Sequence, residues 1–457
     1  MLDKALDYAR AHRDEYREQL FDLLRIPSIS TLSENKGDIE QAADWLANNM
    51  SQAGFDNVQV MPTTGNPVVY GEWLGAGADA PTVLVYGHYD VQPVDPLDLW
   101  DTPPFEPEVR DGAIFARGAS DDKGQAFIHV KAVESILAAN GSLPVNVKLI
   151  LEGEEEIGSP SLEAFVIDHK SMLAADSSLI SDGRIVSPEQ PSIVYGLRGM
   201  AYMEVIVRGP KRDLHSGSYG GSVHNPAQVI GEIIGALHDN NGTITIPGFY
   251  DNVRALSEEE RAALAEVPYT QAQWQKETGL DKPWGEAAYS LLERTSARPT
   301  CEVNGIWGGF QGEGGKTIIP AEAGAKISMR LVPDQDPDRI ANLFENYVRE
   351  LAGSHVDLEV NNLVGAWPAI TPIDSPEMKA AEQAYSEAWG VAPVFTREGG
   401  SIPIVAVFQN ELNAPVVLMG FGLDDNVHSP NENFRLDHFY KGIDTIINYL
   451  YALGERA

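Results

Sequence analysis

The stretch TVLVYGHYDVQP, residues 82–93, joins a short apolar run to a turn that carries a histidine and an aspartate. The run Thr82–Tyr86 is typical of a buried strand because it is short, apolar and bounded by polar residues. Three later runs have the same form, since each is apolar and leads directly into a polar turn with glycine. These runs are Val145–Leu151 before EGEEE, Ser178–Ile180 before SDG and Pro415–Met419 before GFG.

Helical stretches separate most of these predicted strands. Lys123–Asn140 and Ser375–Trp389 have the length and composition of helices that pack against a sheet. Strands that alternate with helices are typical of an α/β fold. The sequence therefore predicts a mixed, mostly parallel sheet flanked by helices.

The pattern changes after about Gly199. Strand, helix, strand, helix and strand patterns follow one another, which predicts a separate, smaller α+β domain. The patterns are Met200–Val207, Asn225–Asp239, Lys326–Val332, Arg339–Leu351 and His355–Val360. We therefore expect residues 198–372 to form an inserted domain, and residues 1–197 and 373–457 to form the two parts of the larger domain.

The inserted domain contains an insertion of its own. Residues Ser257–Pro299 are polar and mostly helical in pattern, and they include the run EEER at positions 258–261. Charge runs on a helix are usually a solvated face. We interpret the EEER run in that way.

The composition excludes several classes of partner. The chain has 33 Lys+Arg against 67 Asp+Glu, which gives a formal net charge of −34. Nucleic acids and anionic membranes select lysine and arginine patches, so we expect neither as a partner. The first residues are charged and no apolar run approaches the ~18–20 residues of a membrane helix, so we expect a cytoplasmic protein. Cys301 is the single cysteine, and we expect a buried thiol there.

Five polar clusters stand at the ends of the predicted strands or in the turns after them, where open α/β sheets bind ligands. The clusters are His88–Pro93, Arg117–Gly124, Glu152–Ser159, Ser181–Gly183 and Asp425–Glu432. Together they offer two histidines and several carboxylates, a ligand set that suits zinc or manganese. Two metals that share a bridging carboxylate would use most of these groups.

Two of the clusters contain more specific signals. The triple glutamate Glu154–Glu156 follows a core strand closely, and burying like charges there is costly unless a cation neutralises them. Asp90 stands two residues after His88 and is placed to orient its imidazole. Motifs of competing chemistry are absent, since the sequence has no G-x-S-x-G, no GxxxxGK[ST] and no H-E-x-x-H.

The motifs also occur in an order that resembles a known family. The runs are GHYDVQP, ARGASDDKG, LEGEEEIGS, ISD, YGLRG, DLHSGSYGGSVHNP, GGKTIIP, SMRLVP, REGGSIP and VHSPNE. They resemble the carnosinase and cytosolic non-specific dipeptidase branch of the co-catalytic metallopeptidases. The resemblance covers most of the chain and implies a zinc-peptidase-like catalytic domain with an inserted lid and dimerisation domain.

The resemblance implies a role for each metal ligand. Asp121 would bridge two divalent ions, zinc first and manganese as the alternative. His88 and Asp182 would complete one site. Glu156 and His428 would complete the other.

The resemblance further implies the catalytic and substrate-binding residues. Glu155 would be the general base, Asp90 would orient His88, and His215 would polarise the substrate carbonyl, often across a homodimer. The substrate carboxylate would be held by the residues Arg330, Thr317, Gly400 and Ser401.

The implied function is hydrolysis of dipeptides or very short peptides with a free C-terminal carboxylate, by a water between the metals and a glutamate base. Two alternatives stay open. One is an N-acyl-amino-acid deacylase or desuccinylase of the same superfamily, and the other is a metal-binding peptide receptor without turnover. The segment GAWPAITPIDSP lacks the further histidine that many dipeptidases of this branch carry, so the preferred substrate stays open as well.

Overall fold

A computed structural model describes residues 1–400, 402–423 and 425–456 of the chain. Its strands are β1 Asp56–Met61, β2 Val68–Trp73, β3 Thr82–His88, β4 Glu108–Arg110, β5 Ala113–Phe115, β6 Asn146–Glu152, β7 Ser177–Ile180, β8 Ser192–Leu197, β9 Gly199–Arg208, β10 Leu214–His215, β11 Thr300–Gly308, β12 Ile318–Ile319, β13 Glu322–Leu331, β14 Asp357–Ala366, β15 Ala369–Ile370, β16 Val394–Glu398, β17 Val416–Leu418 and β18 Asn433–Arg435. Its helices are α1 Leu2–Ala11, α2 Arg13–Leu24, α3 Lys36–Gln52, α4 Lys123–Asn140, α5 Leu162–Asp168, α6 Lys170–Leu173, α7 Ser216–Tyr219, α8 Pro226–Ala236, α9 Glu258–Glu266, α10 Gln271–Thr278, α11 Pro337–Ala352, α12 Pro376–Trp389, α13 Pro403–Glu411 and α14 Leu436–Gly454.

Contacts between residues in the folded structure divide the chain into two compact units. The first unit comprises Met1–Tyr195, Thr371–Thr396 and Val407–Ala457, and the second comprises Gly196–Ile370 and Arg397–Ala406. The domain boundaries expected from the sequence stay a prediction. Residues 397–406, which we had assigned to the larger domain, group with the second unit.

The first unit is built on a mixed sheet. Its strands follow the order β1-β2-β6-β3-β7-β17-β8. The central pairings β6–β3, β3–β7 and β7–β17 are parallel, and the outer pairings are antiparallel. Every residue of β6 and β7 is buried, as expected for parallel strands covered on both faces. The predicted α/β class with a mixed sheet is confirmed.

Helix α4 has the bounds Lys123–Asn140 that the sequence predicts. It packs on β3 and against α1, α2 and α14, and most of its residues are buried. The ammonium group of Lys123 donates to the main-chain oxygens of Leu23 and Ile26, at 3.2 and 2.7 Å. These carbonyls lie at the end of α2, where helices lack internal donors, so Lys123 ties the start of α4 to that end.

The parallel strands place their polar turns at one edge of the sheet. His88 at the end of β3 pairs with Glu152 at the end of β6. Ile180 at the end of β7 pairs with Leu418 at the end of β17. Because the carboxyl ends of parallel strands meet at one edge, the clusters after these four strands begin side by side.

The second unit has the predicted α+β character. Its larger sheet has four strands in the order β11-β13-β9-β14, and all three pairings are antiparallel. Helices α8 and α11 pack on this sheet and share an apolar core with it. Cys301 lies in that core, and burial raises the pKa of its thiol to about 12, so the predicted buried thiol is confirmed.

The EEER run begins helix α9. Glu258 and Glu259 are exposed, as expected for a solvated face. For Glu260 that interpretation is wrong, since this residue is 6% exposed. Glu260 forms a capping box with Ser257 and an ion pair with Arg397, and these contacts bury it.

No helix in the described part of the chain combines the length and the apolar character needed to cross a membrane.

One buried histidine lies in the core of the first unit. His129, on the inner side of α4, is 2% exposed, and neither ring nitrogen has a hydrogen-bond partner among the residues that the structure describes. Burial lowers its pKa to about 3, so the ring is neutral in the folded protein. Its surroundings are apolar and consist of Phe55, Val85, Val133, Val147, Leu149, Ile446 and Leu450.

We predict that His129→Leu stabilises the protein, and increasingly so at low pH. At neutral pH the gain is about 1 kcal/mol, because an unpartnered polar group leaves the core. Below the ordinary histidine pKa of 6.5 the unfolded state binds a proton that the folded state takes up only near pH 3, so wild-type stability falls as the pH drops through this window. The leucine variant has no such group at position 129, so its stability does not fall with pH for this reason.

The measurement is urea unfolding of both proteins at pH 7.5 and 5.5, in the presence of a chelator. The difference in unfolding free energy should grow by about 1 kcal/mol between the two pH values. The exposed His355, changed to leucine, is the control and should give no such change. A pH-independent difference for His129→Leu would contradict the prediction.

Candidate metal centre

The first donor group joins two strand ends and the start of a helix. His88 closes β3, Asp121 precedes α4, and Asp182 follows β7. His88 Nε2 lies 3.0 Å from Asp121 Oδ1 and 3.9 Å from Asp182 Oδ2. The imidazole is fully buried, while both carboxylates retain some exposure, so the group is accessible from one side.

The second donor group uses the other oxygen of Asp121. Asp121 Oδ2 lies 2.9 Å from His428 Nε2, which in turn lies 3.2 Å from Glu156 Oε2. The His428 side chain is 54% exposed and forms the open side of the group. Asp121 therefore presents one oxygen to each histidine, which is the arrangement that a bridging carboxylate needs.

The donor atoms fit a pair of divalent metal ions. Within each group the ligand atoms lie within 4.8 Å of one another. Ligands bound tetrahedrally at zinc–nitrogen or zinc–oxygen distances would be separated by about 3.3 Å, which the observed separations bracket. Neutral imidazole and carboxylate oxygen suit zinc and manganese. In the described part of the chain, these are the two groups of three or more such donors.

The electrostatics of the centre favour bound cations. Burial, and then the charge of Asp121, raises the pKa of Asp182 well above its ordinary value. Burial would also raise the pKa of Asp121, but hydrogen bonds with His428 and His88 outweigh it and hold that pKa low. Carboxylates packed so closely destabilise one another unless positive charge is present.

Glu155 occupies a distinctive place beside the donors. It begins the short 3₁₀ turn Glu155–Ile157 directly before the donor Glu156. Burial raises the pKa of its carboxyl group, against the opposing effect of His88 and with the added effect of Glu156. A carboxylate whose pKa is shifted towards neutrality is suited to accept and return a proton.

Asp90 holds two parts of the centre at once. The Nδ1 atom of His88 lies 3.0 Å from the main-chain oxygen of Asp90 and 3.4 Å from its Oδ1. The Asp90 carboxylate also accepts hydrogen bonds from the main-chain N–H groups of Glu155 and Glu156, at 3.2 and 3.1 Å. The residue is fully buried, so it fixes the imidazole and the glutamate turn together.

Two neighbouring residues have roles that our sequence analysis missed. Gln92 donates from Nε2 to Glu156 Oε2 at 2.7 Å and orients that donor. Glu154 is buried but turns away from the centre, because its carboxylate accepts from the main-chain N–H groups of Asn66 and Ser161. Gln92 stands in the GHYDVQP run, so its place in that motif was the available signal.

The second unit brings two other candidate residues together. His215 in β10 pairs with Ile318 in β12, which places Thr317 next to it along the ladder. The main-chain N–H of Gly217 donates to Nδ1 of His215 at 3.0 Å. Since Nδ1 accepts, a neutral His215 carries its proton on Nε2, and Nε2 is left as a donor.

Arg330 has a second arginine beside it. Arg330 lies on β13, and Arg198 lies between β8 and β9. Burial, and then the charge of Arg330, lowers the pKa of Arg198 to about 10. The Nε atom of Arg198 donates to the main-chain oxygen of Gly399 at 3.1 Å. Gly399 immediately precedes Gly400 in the chain, so this hydrogen bond ties Arg198 to the residue before that candidate. Arg198 was missed although it stands in the YGLRG run, and Ser401 lies outside the described residues.

Comparison with known proteins identifies the family. The model of peptidase family M20/M25/M40 matches residues 84–452. The chain belongs to this family. It is therefore a metallopeptidase, and the family resemblance inferred from the motifs is confirmed.

The chain is similar to several family members over its full length. It is 33% identical to Cys-Gly metallodipeptidase dug1 of Schizosaccharomyces pombe, covering 99% of this chain and 98% of that protein. It is 32% identical to human Beta-Ala-His dipeptidase, covering 100% and 93%. Among solved structures, the M20 family metallo-carboxypeptidase Sso-CP2 of Sulfolobus solfataricus is 34% identical with a TM-score of 0.81, covering 96% and 99%.

In this M20-family chain, one buried carboxylate holds the loop that carries Asp121. Glu432 is fully buried. Its Oε1 accepts from the N–H groups of Ser120 and Asp121, at 2.9 and 3.1 Å. Its Oε2 accepts from the N–H of Gly118 at 3.0 Å and from Arg117 at 2.8 Å. The final glutamate of VHSPNE therefore fixes the main chain at Asp121, the residue that the two donor groups share.

We predict that Glu432→Gln weakens metal binding by about 10–100-fold, the usual cost of losing a group that orients a ligand. The amide would turn one N–H donor towards main-chain N–H groups and release the loop around Asp121. The measurement is metal affinity by competition with a chromogenic chelator.

Asp444→Asn is the matched control, because Asp444 is also a buried, ion-paired carboxylate but bonds to Arg10 and Arg13 instead. It should leave metal affinity within about twofold, since the contacts of Asp444 involve no donor of the centre. Equal affinity in Glu432→Gln and wild type would show that the Asp121 loop holds its position without this carboxylate.

Proposed function

We propose that this M20-family peptidase hydrolyses dipeptides or very short peptides that have a free C-terminal carboxylate. The observation that carries the proposal is the double donor group that shares Asp121 and lies directly beside Glu155. Similarity to relatives named as dipeptidases over the full length of the chain supports the choice of substrate.

In this proposal two divalent cations are held by the donors His88, Asp121, Asp182, Glu156 and His428. When bound, they acidify water, polarise the scissile carbonyl and offset developing negative charge. Zinc is the first choice and manganese the second, given the nitrogen and oxygen donors.

Glu155 is the proposed general base. Its carboxylate takes a proton from the attacking water and later delivers it to the leaving amine, for which a raised pKa is suited. Asp90 supports this role, because it fixes the N–H of Glu155 and so the position of the turn.

His215 is the proposed donor to the carbonyl oxygen of the substrate. The hydrogen bond from Gly217 leaves Nε2 as the protonated atom, as this role requires. The role also requires that His215 reach the metal centre, and we propose that it does so within a homodimer formed through the second unit.

The substrate carboxylate is proposed to bind at Arg330, with Thr317, Gly400 and Ser401 as further contacts. Arg198 adds a second guanidinium group beside Arg330. Two neighbouring cations in a chain of net charge −34 favour binding of an anion at this place.

A cytoplasmic location stays part of the proposal.

A second candidate function is removal of C-terminal residues from longer peptides, which the likeness to the Sulfolobus metallo-carboxypeptidase favours. Both candidates need the carboxylate contacts. They differ in whether the N-terminal side of the substrate has space to extend.

A substrate panel assayed with zinc, manganese and cobalt in turn tests the proposal. We expect turnover of Ala-Ala, Cys-Gly or β-Ala-His that disappears with chelator and returns with metal. Cleavage of N-acetyl amino acids alone would indicate a deacylase, and preference for blocked tripeptides would indicate a carboxypeptidase. A metal-loaded protein that cleaves none of these would indicate a receptor.

We predict that Glu155→Gln lowers kcat on the best dipeptide by about 10²–10⁴-fold, because the amide cannot accept the proton. Metal content should stay at the wild-type level, since Glu155 is not among the donors. Glu163→Gln is the control, and its kcat should stay near wild type because Glu163 is an exposed residue of α5. A Glu155→Gln variant with undiminished kcat would remove the base assignment.

A further inference from the structure

In the second unit, the insertion Ser257–Pro299 packs around the segment Arg397–Gly400. The segment contains the glycine that we place at the substrate carboxylate. Its first residue, Arg397, is 8% exposed, although it lies close to a surface loop in sequence. Contacts from the insertion therefore cover a segment of the proposed substrate site.

One of these contacts is an ion pair between Arg397 and Glu260. Both side chains are almost fully buried, at 5% and 9% exposed. Glu260 accepts a second hydrogen bond from the N–H of Ser257, at 2.9 Å, and Arg254 lies 3.4 Å away. Burial opposes the charge of Glu260, but the N–H of Ser257 and the charge of Arg397 outweigh it and lower its pKa. A buried pair of this kind holds both partners, since loss of one leaves the other charge uncompensated.

The aliphatic part of the Arg397 side chain passes close to the main chain of Gly196. A Cβ atom built on Gly196 would lie 3.3 Å from Cγ of Arg397. The absence of a side chain at Gly196 therefore gives the arginine room to extend towards Glu260.

Gly399 is enclosed by the insertion and by the arginine pair. A Cβ atom built there would lie 2.7 Å from the main-chain oxygen of Thr295 and 2.6 Å from Nη2 of Arg198. Thr295 belongs to the insertion, and Arg198 stands beside Arg330. The main-chain N–H of Arg198 also donates to the oxygen of Glu398, at 3.3 Å. The segment is therefore fixed between the insertion and Arg198.

We propose that the insertion sets the affinity and selectivity for the substrate's C-terminal carboxylate, with Glu260 as a positioning residue that acts through Arg397. The inference rests on the proposed function, because it assumes that Gly400 and Arg330 bind that carboxylate. The insertion holds the 397–400 segment against Arg198, and so sets the distance between Gly400 and the arginine pair.

The competing explanation is that the ion pair only stabilises the insertion. A purely structural pair would lower the unfolding temperature when broken and would leave substrate selectivity unchanged. A positioning pair would raise KM for substrates with a free carboxylate and reduce the preference for them over C-terminal amides. The two explanations therefore differ in a kinetic ratio that thermal stability does not affect.

The experiment compares Glu260→Gln with wild type in the metal-loaded full chain. We expect KM for a dipeptide to rise about tenfold with kcat within about threefold, because carboxylate binding is weakened and the reacting groups are not. The ratio of kcat/KM for the dipeptide to that for its amide should fall by a similar factor. Glu259→Gln, an exposed neighbour on the same helix, is the matched control and should behave as wild type.

Two further variants guard against loss of folding. Arg397→Lys keeps a positive charge opposite Glu260 and should retain most of the selectivity. Gly399→Ala leaves the ion pair in place but adds a methyl group that would meet both Thr295 and Arg198, and it should raise KM as Glu260→Gln does.

The outcomes separate the two proposals. Unchanged KM and an unchanged dipeptide-to-amide ratio in Glu260→Gln and Gly399→Ala, with active wild type, would overturn this inference alone. A wild-type enzyme that cleaves no substrate with a free carboxylate would overturn the proposed function and this inference with it.

Discussion

The carboxylate of Asp121 is the contact on which the centre depends, because each of its oxygens faces a different histidine. His88 lies 33 residues before it and His428 lies 307 residues after it. Strand β17 and the loop after it must therefore return to the sheet before the donors meet. Glu432 secures this closure, since it bonds the Asp121 loop from the same late segment. Binding of metal at such a centre is coupled to folding of the whole first unit.

The buried carboxylates of the chain differ in what stabilises their negative charge. Glu154 and Glu432 are surrounded by main-chain N–H donors, which stabilise their negative charge locally. Burial raises the pKa of Glu432 too, but there the charge of Arg117 opposes the effect. For Asp182 and Glu155, burial raises the pKa and neighbouring carboxylates add to the effect. The centre therefore concentrates uncompensated acids at one edge of the sheet, where divalent cations would offset their charge. The net charge of −34 does not reveal this difference, since both kinds of acid contribute to it equally.

Much of the first unit could be predicted from the sequence, because its strands are short apolar runs that end in chemically distinctive turns. The bounds of α4 follow from local patterns, and so does the strand that begins at Thr82, although it continues past the predicted end at Tyr86 to His88. The same patterns place the donor residues at strand ends, and parallel pairing brings those ends together. The motifs add the family, which the comparison confirms. The roles assigned to single residues stay predictions, since donor geometry shows proximity and not turnover.

The parts that could not be predicted depend on pairings between distant segments. An acidic run at the start of a helix is favoured in solvent, so nothing local marks Glu260 as buried. Its burial depends on Arg397, 137 residues away, and nothing in the REGGSIP run marks that pairing. The surroundings of Arg198 could not be predicted either, because its hydrogen-bond acceptor Gly399 and its neighbour Arg330 come from two later segments. Sequence patterns thus identify the candidate metal ligands, whereas the residues that hold the 397–400 segment in place become visible only when the partner segments are brought together by the fold.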